Sequence, residues 1–197
     1  MQTAILVRHG ESVFSVRGLL NGDPSMPGGL TPAGVEQAGA LGDRLRGVPI
    51  DLVVTSEFER AVETADVATA GRGLPRLALA ELNDPLYGPF EGAMLEDYRA
   101  WASSSPSSAA PGAGGESRYA IVERYAAAFR RLLDLRAETV VVFAHSLPLA
   151  YAIAASEGSL PSARMPLVEY ATPYRYDAQE LAGIAAVLER WLAAPTF

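Results

Sequence analysis

The sequence of 197 residues contains no cysteine, no lysine and only two histidines. Without cysteine the protein can form no disulfide, use no thiol as a nucleophile and offer no thiolate to a metal. Its basic residues are arginines that stand singly or in short pairs, and the formal net charge is −7. A general nucleic-acid surface needs clustered basic residues. We therefore expect no nucleic-acid partner, and an anionic ligand would have to be held by a few arginines.

Long apolar runs are also absent, since none reaches the ~18 residues typical of a membrane-spanning helix. The N-terminal residues lack the basic start and small-residue cleavage site of a secretory signal. We therefore expect a soluble, cytoplasmic protein with no membrane partner. The length and the 49% apolar content favour one domain, which we assign to residues 1–197. A homodimer is compatible with the sequence, which leaves the oligomeric state open.

Strand-like and helix-like segments alternate along the chain. Apolar segments at 4–7, 51–55 and 139–144 are typical of buried parallel strands, and Arg76–Leu79 is a weaker strand candidate. Helices are predicted at about 32–46, 57–70, 92–101, 118–136, 147–155 and 178–193. This alternation predicts an α/β fold, a three-layer α/β/α sandwich with a mostly parallel sheet and helices on both faces.

Local signals mark the beginnings of several helices and one insertion. Thr31 is an expected N-cap, Asp177 with Glu180 predicts a capping box, and Thr55 or Ser56 is expected to cap the second helix. The segment 103–115 is rich in serine, alanine, proline and glycine. We interpret residues 92–119 around it as a small lid insertion.

The candidate site residues follow the predicted strands. Parallel α/β sheets place their sites at the carboxyl ends of strands, where both histidines, His9 and His145, lie. Arg8 precedes the first histidine, and Arg60 lies near the start of a helix, where the helix dipole favours an anion. Since the planar guanidinium group matches phosphate oxygens, these residues favour a site for a small phosphate ester.

Other kinds of site receive little support. The two histidines are not spaced as a metal-binding H-x-x-x-H or H-x-x-E-H pair. The sequence has no P-loop, and His145-Ser146 lacks the G-x-S-x-G pattern of a serine nucleophile. We therefore expect no metal and no cofactor.

Several motifs in the expected order resemble the histidine phosphatase superfamily, the phosphoglycerate mutase-like family. The strongest is the RHG signature in Leu6-Val7-Arg8-His9-Gly10-Glu11-Ser12. The other matches are LTxxGxxQA at 30–38, TS…RAxxT at 55–64, LNExxYGxxEG at 82–92, a GES turn at 115–117, and the strand 140–145 carrying the second histidine. The similarity covers most of the chain and implies the same α/β fold.

The resemblance also implies a mechanism and a set of catalytic residues. His9 would attack phosphorus to form a phosphohistidine, while Arg8, Arg60 and His145 contact the phosphoryl oxygens. An acidic residue at the E of LNE would protonate the leaving oxygen and then activate water. His9 must be neutral to attack, so a carbonyl or carboxylate should fix its tautomer. No metal is needed, because the arginines supply the positive charge.

The proton donor is the main departure from the family pattern. Asp84, one methylene shorter, stands where the family usually has glutamate. It can perform the same acid–base chemistry, but Glu81 and Glu91 are alternative donors.

Further departures concern substrate contacts. Ser15 stands where the family commonly has a phosphate-binding asparagine, and Ser146 replaces the glycine that usually follows the second histidine. Asn21 and Gly22 retain a polar–glycine pair near the phosphate. We expect these four residues to contact the substrate.

The resemblance leaves three functions to distinguish. A metal-independent phosphomonoester hydrolase for a small phosphorylated metabolite is favoured, because the chain is short. Mutases of the family carry longer insertions and a C-terminal tail over the site. The alternatives are a phosphoglycerate mutase-type transferase and a catalytically weak phosphate-ester binding protein. The identity of the substrate is left open.

Overall fold

The computed structural model describes all residues from Met1 to Phe197, and a five-stranded sheet forms its centre. The strands are β1 (Thr3–Arg8), β2 (Leu52–Thr55), β3 (Arg76–Ala78), β4 (Thr139–Ala144) and β5 (Pro173–Asp177). The helices are α1 (Pro32–Leu45), α2 (Glu59–Ala68), α3 (Leu95–Ser104), α4 (Arg118–Leu133), α5 (Ser146–Ser156) and α6 (Ala178–Ala193). The sheet order is β3-β2-β4-β1-β5, in which only β5 is antiparallel. The predicted α/β fold with a mostly parallel sheet is confirmed.

Helices cover both faces of the sheet because alternate strand residues point to opposite sides. Ile5 and Val7 of β1 belong to the core formed with α1 and α2. Ala4 and Leu6 belong to the larger core formed with α4, α5 and α6. The continuous apolar character of β1 and β4 follows from this burial on both faces.

The pairing of β1 with β4 places the two histidines at one edge of the sheet. In the parallel register, Arg8 lies opposite Ala144, and the amide of His9 donates to the Ala144 carbonyl at 2.9 Å. His9 and His145 each follow the last residue of a strand. They therefore meet at the carboxyl edge, as the sequence predicts.

Two of the three predicted helix caps are present. Thr31 accepts a hydrogen bond from the Gly34 amide at 3.1 Å, and Asp177 and Glu180 form a reciprocal capping box. The prediction that Thr55 or Ser56 caps α2 is wrong. The helix begins at Glu59, and its N-cap residue is Phe58, which has extended backbone angles and makes no side-chain cap bond.

Residues 92–119 contain α3 and a loop that follows it. The observed helix lies three residues further along the chain than predicted. Its Tyr98 and Ala102 pack with Leu20 and Tyr87 in a small separate cluster. Within the low-complexity stretch, the carbonyl of Ser107 accepts from the amide of Tyr119 at 3.0 Å. No helix in the structure has the length and apolar character needed to cross a membrane.

The capping box of α6 can be tested by substitution. Replacing Asp177 with alanine removes the acceptor for the Glu180 amide and should lower the free energy of unfolding by about 1 kcal/mol. Asp177→Asn is the matched control, because asparagine retains the acceptor and should remain near wild type. Urea denaturation measures both. Equal losses in the two variants would contradict a capping role.

Candidate active site

Three separate parts of the chain converge on one cleft at the carboxyl edge of the sheet. Arg8 and His9 arrive from the end of β1, Arg60 from the first turn of α2, and Asp84 from the loop after β3. These four residues line a cleft of roughly 1090 Å³, a volume that includes its open mouth. His145 lies behind them, with its ring centroid 5.3 Å from that of His9.

His9 is held as a neutral imidazole with a defined tautomer. Its Nδ1–H donates to the Gly10 carbonyl at 2.7 Å, so Nε2 carries the lone pair. The Nε of Arg60 donates to that Nε2 atom at 3.2 Å. Burial, followed by the charges of Arg60 and Arg8, holds the pKa of His9 well below its usual value. The predicted carbonyl partner is present, and the Nε2 atom of His9 carries no proton.

Arg60 connects the imidazole with the carboxyl group. Its side chain is 4% exposed, and its guanidinium lies 4.2 Å from the ring centre of Phe58. Besides contacting His9, it donates through Nη2 to Asp84 Oδ2 at 2.7 Å and to the Asn21 carbonyl at 3.1 Å. One buried cation therefore sets the positions of both candidate reactive groups.

Asp84 combines burial with contact to a cation. Burial raises the pKa of this carboxyl, and the Arg60 guanidinium opposes that rise. The preceding Asn83 carbonyl accepts from Arg124 Nη1 at 2.8 Å and from the Tyr125 hydroxyl at 2.9 Å. These two hydrogen bonds from α4 fix the loop that carries Asp84. A carboxyl with a raised pKa is suited to donating and accepting a proton.

His145 lies fully buried between two polar partners. Its Nε2 is 2.8 Å from the Ser56 hydroxyl. Its Nδ1 is 3.2 Å from Asp84 Oδ2 but is not oriented to form a hydrogen bond with it. Burial, reinforced by the Arg60 charge, holds the pKa of His145 well below its usual value. Ser56 therefore contacts a site histidine rather than capping a helix.

Arg8 is wrapped by the segment that leads into β5. Its Nη1 donates to the Val168 carbonyl, and its Cζ lies 3.8 Å from the ring centre of Tyr170. The chain turns at Ala171, whose φ of 44° is the only positive φ outside glycine and whose amide donates to the Arg8 carbonyl at 2.9 Å. No motif surrounds Tyr170, so nothing in the local sequence identified it.

The four predicted substrate contacts are placed differently. Asn21 lines the cleft and has a buried Nδ2 without a hydrogen-bond partner. Ser15 also lines it, but its Oγ accepts from the Ser12 amide at 2.8 Å. Ser146 lines the cleft while its Oγ accepts from the Val168 amide at 2.9 Å. The structure does not bring Gly22 to the cleft surface.

The two alternative acids lie outside the cleft. Glu81 forms a salt bridge with Arg131, and Glu91 accepts hydrogen bonds from the Gly22 and Tyr87 amides, each at 2.8 Å. Of the three carboxyl groups considered from the sequence, Asp84 alone lines the cleft with His9. No group of three histidine, aspartate or glutamate side chains is arranged to hold a metal ion.

These features define an α/β protein that brings two buried histidines and two buried arginines together at the carboxyl edge of its sheet. The sequence matches the histidine phosphatase superfamily (branch 1) over residues 4–177. The match covers most of the chain, and the protein belongs to this family.

Similar proteins include both phosphatases and mutases by name. An adenosylcobalamin/α-ribazole phosphatase of Escherichia coli is 41% identical over 106 residues, which is 50% of this chain and 51% of that protein. The alignment therefore spans about half the length of that relative. A 2,3-bisphosphoglycerate-dependent phosphoglycerate mutase of Brucella melitensis is 34% identical over 176 residues, covering 81% of this chain and 84% of the mutase.

Solved structures support the same fold. The crystal structure of the α-ribazole phosphatase from Shigella flexneri is 29% identical and superposes with a TM-score of 0.74. The superposition covers 88% of this chain and 89% of the other.

The two buried histidines should make stability depend on pH. Below about pH 6.5 the unfolded chain protonates them, whereas the folded state keeps them neutral. The free energy of unfolding should therefore fall as the pH falls from 7.5 to 5.5, by up to about 1.4 kcal/mol per pH unit for each histidine. Urea denaturation across this range measures the slope, and His145→Gln should reduce it by about half. Parallel curves for the variant and the wild type would show that His145 titrates normally.

Proposed function

We propose that this protein is a metal-independent phosphomonoester hydrolase that acts on a small phosphorylated metabolite through a phosphohistidine intermediate. The state of His9 carries the proposal. Its Nδ1 proton is held by the Gly10 carbonyl, its Nε2 lone pair faces Arg60, and its lowered pKa keeps it neutral. A neutral, oriented imidazole beside buried cations is suited to attack on a phosphoryl group.

Unsatisfied donors support phosphoryl binding in the cleft. Arg8 Nε and Asn21 Nδ2 are buried without hydrogen-bond partners, and Arg8 has no carboxylate partner. Buried polar groups are normally hydrogen-bonded, so an anion in the cleft would satisfy both. We assign phosphoryl contact to Arg8, Arg60 and Asn21. Ser15 and Ser146 would mainly stabilise the segments to which their hydroxyl groups are hydrogen-bonded. Gly22 lies outside the cleft surface and would not contact the phosphoryl group.

The first chemical step would transfer the phosphoryl group to the enzyme. His9 Nε2 attacks phosphorus in line, and the bond between phosphorus and the ester oxygen breaks. Arg60 moves its hydrogen bond from His9 to a phosphoryl oxygen, and with Arg8 it stabilises the developing negative charge. His145, which lies behind the cleft, would act through its contact with Asp84 and not by the phosphoryl contact expected from the sequence. Protonated Asp84 donates its proton to the leaving oxygen. The arginines provide the positive charge, so the step requires no metal ion.

The second step would release phosphate. Asp84, now ionised, accepts a proton from water while the water oxygen attacks phosphorus and the phosphorus–nitrogen bond breaks. Inorganic phosphate and neutral His9 result, and Asp84 returns to its protonated form. The raised pKa of Asp84 suits both directions of this proton transfer.

We place hydrolysis first, and the cleft is open to solvent, which admits the water of the second step. We place the whole activity in one domain of residues 1–197, with 92–119 as a lid segment.

Mutase-type transfer is the second candidate, supported by the 34% identity to the Brucella mutase over 81% of this chain. Exchange of 2- and 3-phosphoglycerate faster than phosphate release would establish it. Binding of phosphate without any turnover would establish a binding protein.

The covalent intermediate can be trapped directly. The enzyme is mixed with ³²P-labelled substrate, and the reaction is stopped during turnover in alkaline denaturant. Acid is not used to stop it, because phosphohistidine is acid-labile. With p-nitrophenyl phosphate in the presence of EDTA, we expect an adduct of less than one phosphoryl group per chain, which acid treatment removes. His9→Ala should abolish the adduct, whereas Asp84→Asn should increase it by slowing release. Turnover that requires added metal would refute the proposed mechanism.

The role of Asp84 can be read from the leaving group. p-Nitrophenol leaves with little protonation, whereas an alkyl alcohol requires a proton. Asp84→Asn should therefore reduce kcat/KM for an alkyl phosphate by about 10²-fold or more relative to p-nitrophenyl phosphate. Glu81→Gln, outside the cleft, is the matched control and should leave this ratio unchanged. If Glu81→Gln shows the leaving-group effect instead, the assignment of Asp84 fails.

A further inference from the structure

Three arginines in the structure are buried, and they differ in how their charge is balanced. Arg60 has Asp84 as its partner. Arg8 and Arg118 are 7% and 3% exposed, and neither has a carboxylate within salt-bridge distance. The phosphoryl group of the proposed reaction would balance Arg8. Arg118, which lines the same cleft, is not balanced by that group.

The hydrogen-bond partners of Arg118 fix its position but do not neutralise its charge. Its two Nη atoms donate to the carbonyls of Ala102 and Ser105, at the C-terminal end of α3. Its Nε atom is buried and has no hydrogen-bond partner. The Cζ atom of Arg118 also lies 5.7 Å from the ring centre of Trp101 and 5.0 Å from that of Phe197. Carbonyl dipoles at a helix end and aromatic faces attract a cation, but they carry no net negative charge to neutralise it. A buried charge without a counter-ion is costly, so a missing anion is indicated.

Two further arginines line the cleft with Arg118 and share a single carboxylate. Glu96 is 2.9 Å from Arg99 and 2.8 Å from Arg164. Arg118 contacts the Ala102 carbonyl, one turn of α3 from Arg99. These three guanidinium groups and Glu96 therefore leave a local excess of two positive charges. In a chain of net charge −7, this local excess favours an anionic ligand.

We propose that Arg118, Arg99 and Arg164 form a second anion subsite, which binds a carboxylate or a second phosphate on the substrate. The inference rests on the proposed function, since the phosphoryl group to be cleaved lies at His9. Apolar side chains such as Leu147 and Met165 also line the cleft, and they suit the uncharged part of the substrate. The substrate is therefore a phosphomonoester with a second negative group, not a neutral alcohol phosphate.

The test uses phosphonates, which bind without being hydrolysed. Isothermal titration calorimetry at low ionic strength compares ω-phosphonocarboxylic acids of increasing length with alkylphosphonates of the same length, with α,ω-bisphosphonates as a second series. At the matching length, the second anion should strengthen binding by about tenfold or more, the effect of a charge-assisted hydrogen bond. The series with the larger gain identifies carboxylate or phosphate as the preferred group.

Variants with opposite expected signs make the test specific. Arg164→Gln should reduce the gain from the second anion several-fold, and Arg118→Gln should abolish it. Glu96→Gln should increase the gain several-fold, because it frees Arg99 and Arg164. Arg131→Gln removes a positive charge outside the cleft and should change nothing. Binding of the simple alkylphosphonates should stay the same in all four variants.

Unchanged gains in Arg164→Gln and Glu96→Gln would overturn the proposal and leave Arg118 as a cap for α3. These two variants concern exposed side chains, so they decide the question even if Arg118→Gln does not fold. A gain no larger in wild type than in Arg118→Gln would also overturn it. Failure of the proposed function is distinguishable, because the phosphoryl adduct on His9 would then be missing even if phosphonates with a second anion bind more tightly.

Discussion

The parallel pairing of β1 with β4 is the constraint on which the site depends. These two strands are buried on both faces, and their register places Arg8 beside Ala144. As a result, the residues that follow them, His9 and His145, lie 5.3 Å apart between ring centroids. A shift of one residue would reverse the faces of every side chain in a strand. The burial that stabilises the sheet therefore also fixes the distance between the histidines.

Within that frame, Arg60 organises the electrostatics. It contributes to the low pKa values of His9 and His145 and opposes the rise in the pKa of Asp84. The histidines therefore stay neutral, while the carboxyl remains able to exchange a proton. The same guanidinium donates to both His9 and Asp84. In the proposed reaction, a phosphoryl group would accept the hydrogen bond that Arg60 now donates to His9, and the Nε2 lone pair would then be free to attack phosphorus.

The cleft departs from the charge of the whole chain. Although the net charge is −7, five arginines line this one surface, and only Asp84 among the lining residues is acidic. At one part of the cleft, Arg8 lacks a counter-ion, and elsewhere Arg118 does. The phosphomonoesterase proposal accounts for the first of these. The second anion subsite accounts for the other by the same physical reasoning.

Local sequence patterns determined the fold class and the capping of α1 and α6. They also identified four members of the candidate site, which are Arg8, His9, Arg60 and His145. They succeeded because strand ends, helix starts and short motifs depend on neighbouring residues. Tertiary structure alone decided that Asp84, not Glu81 or Glu91, lines the cleft with His9, and that Ser56 contacts His145. It also brought Tyr170 and Arg118 to the cleft. These contacts join residues distant in sequence, so they depend on sheet register and loop packing, which no local pattern encodes.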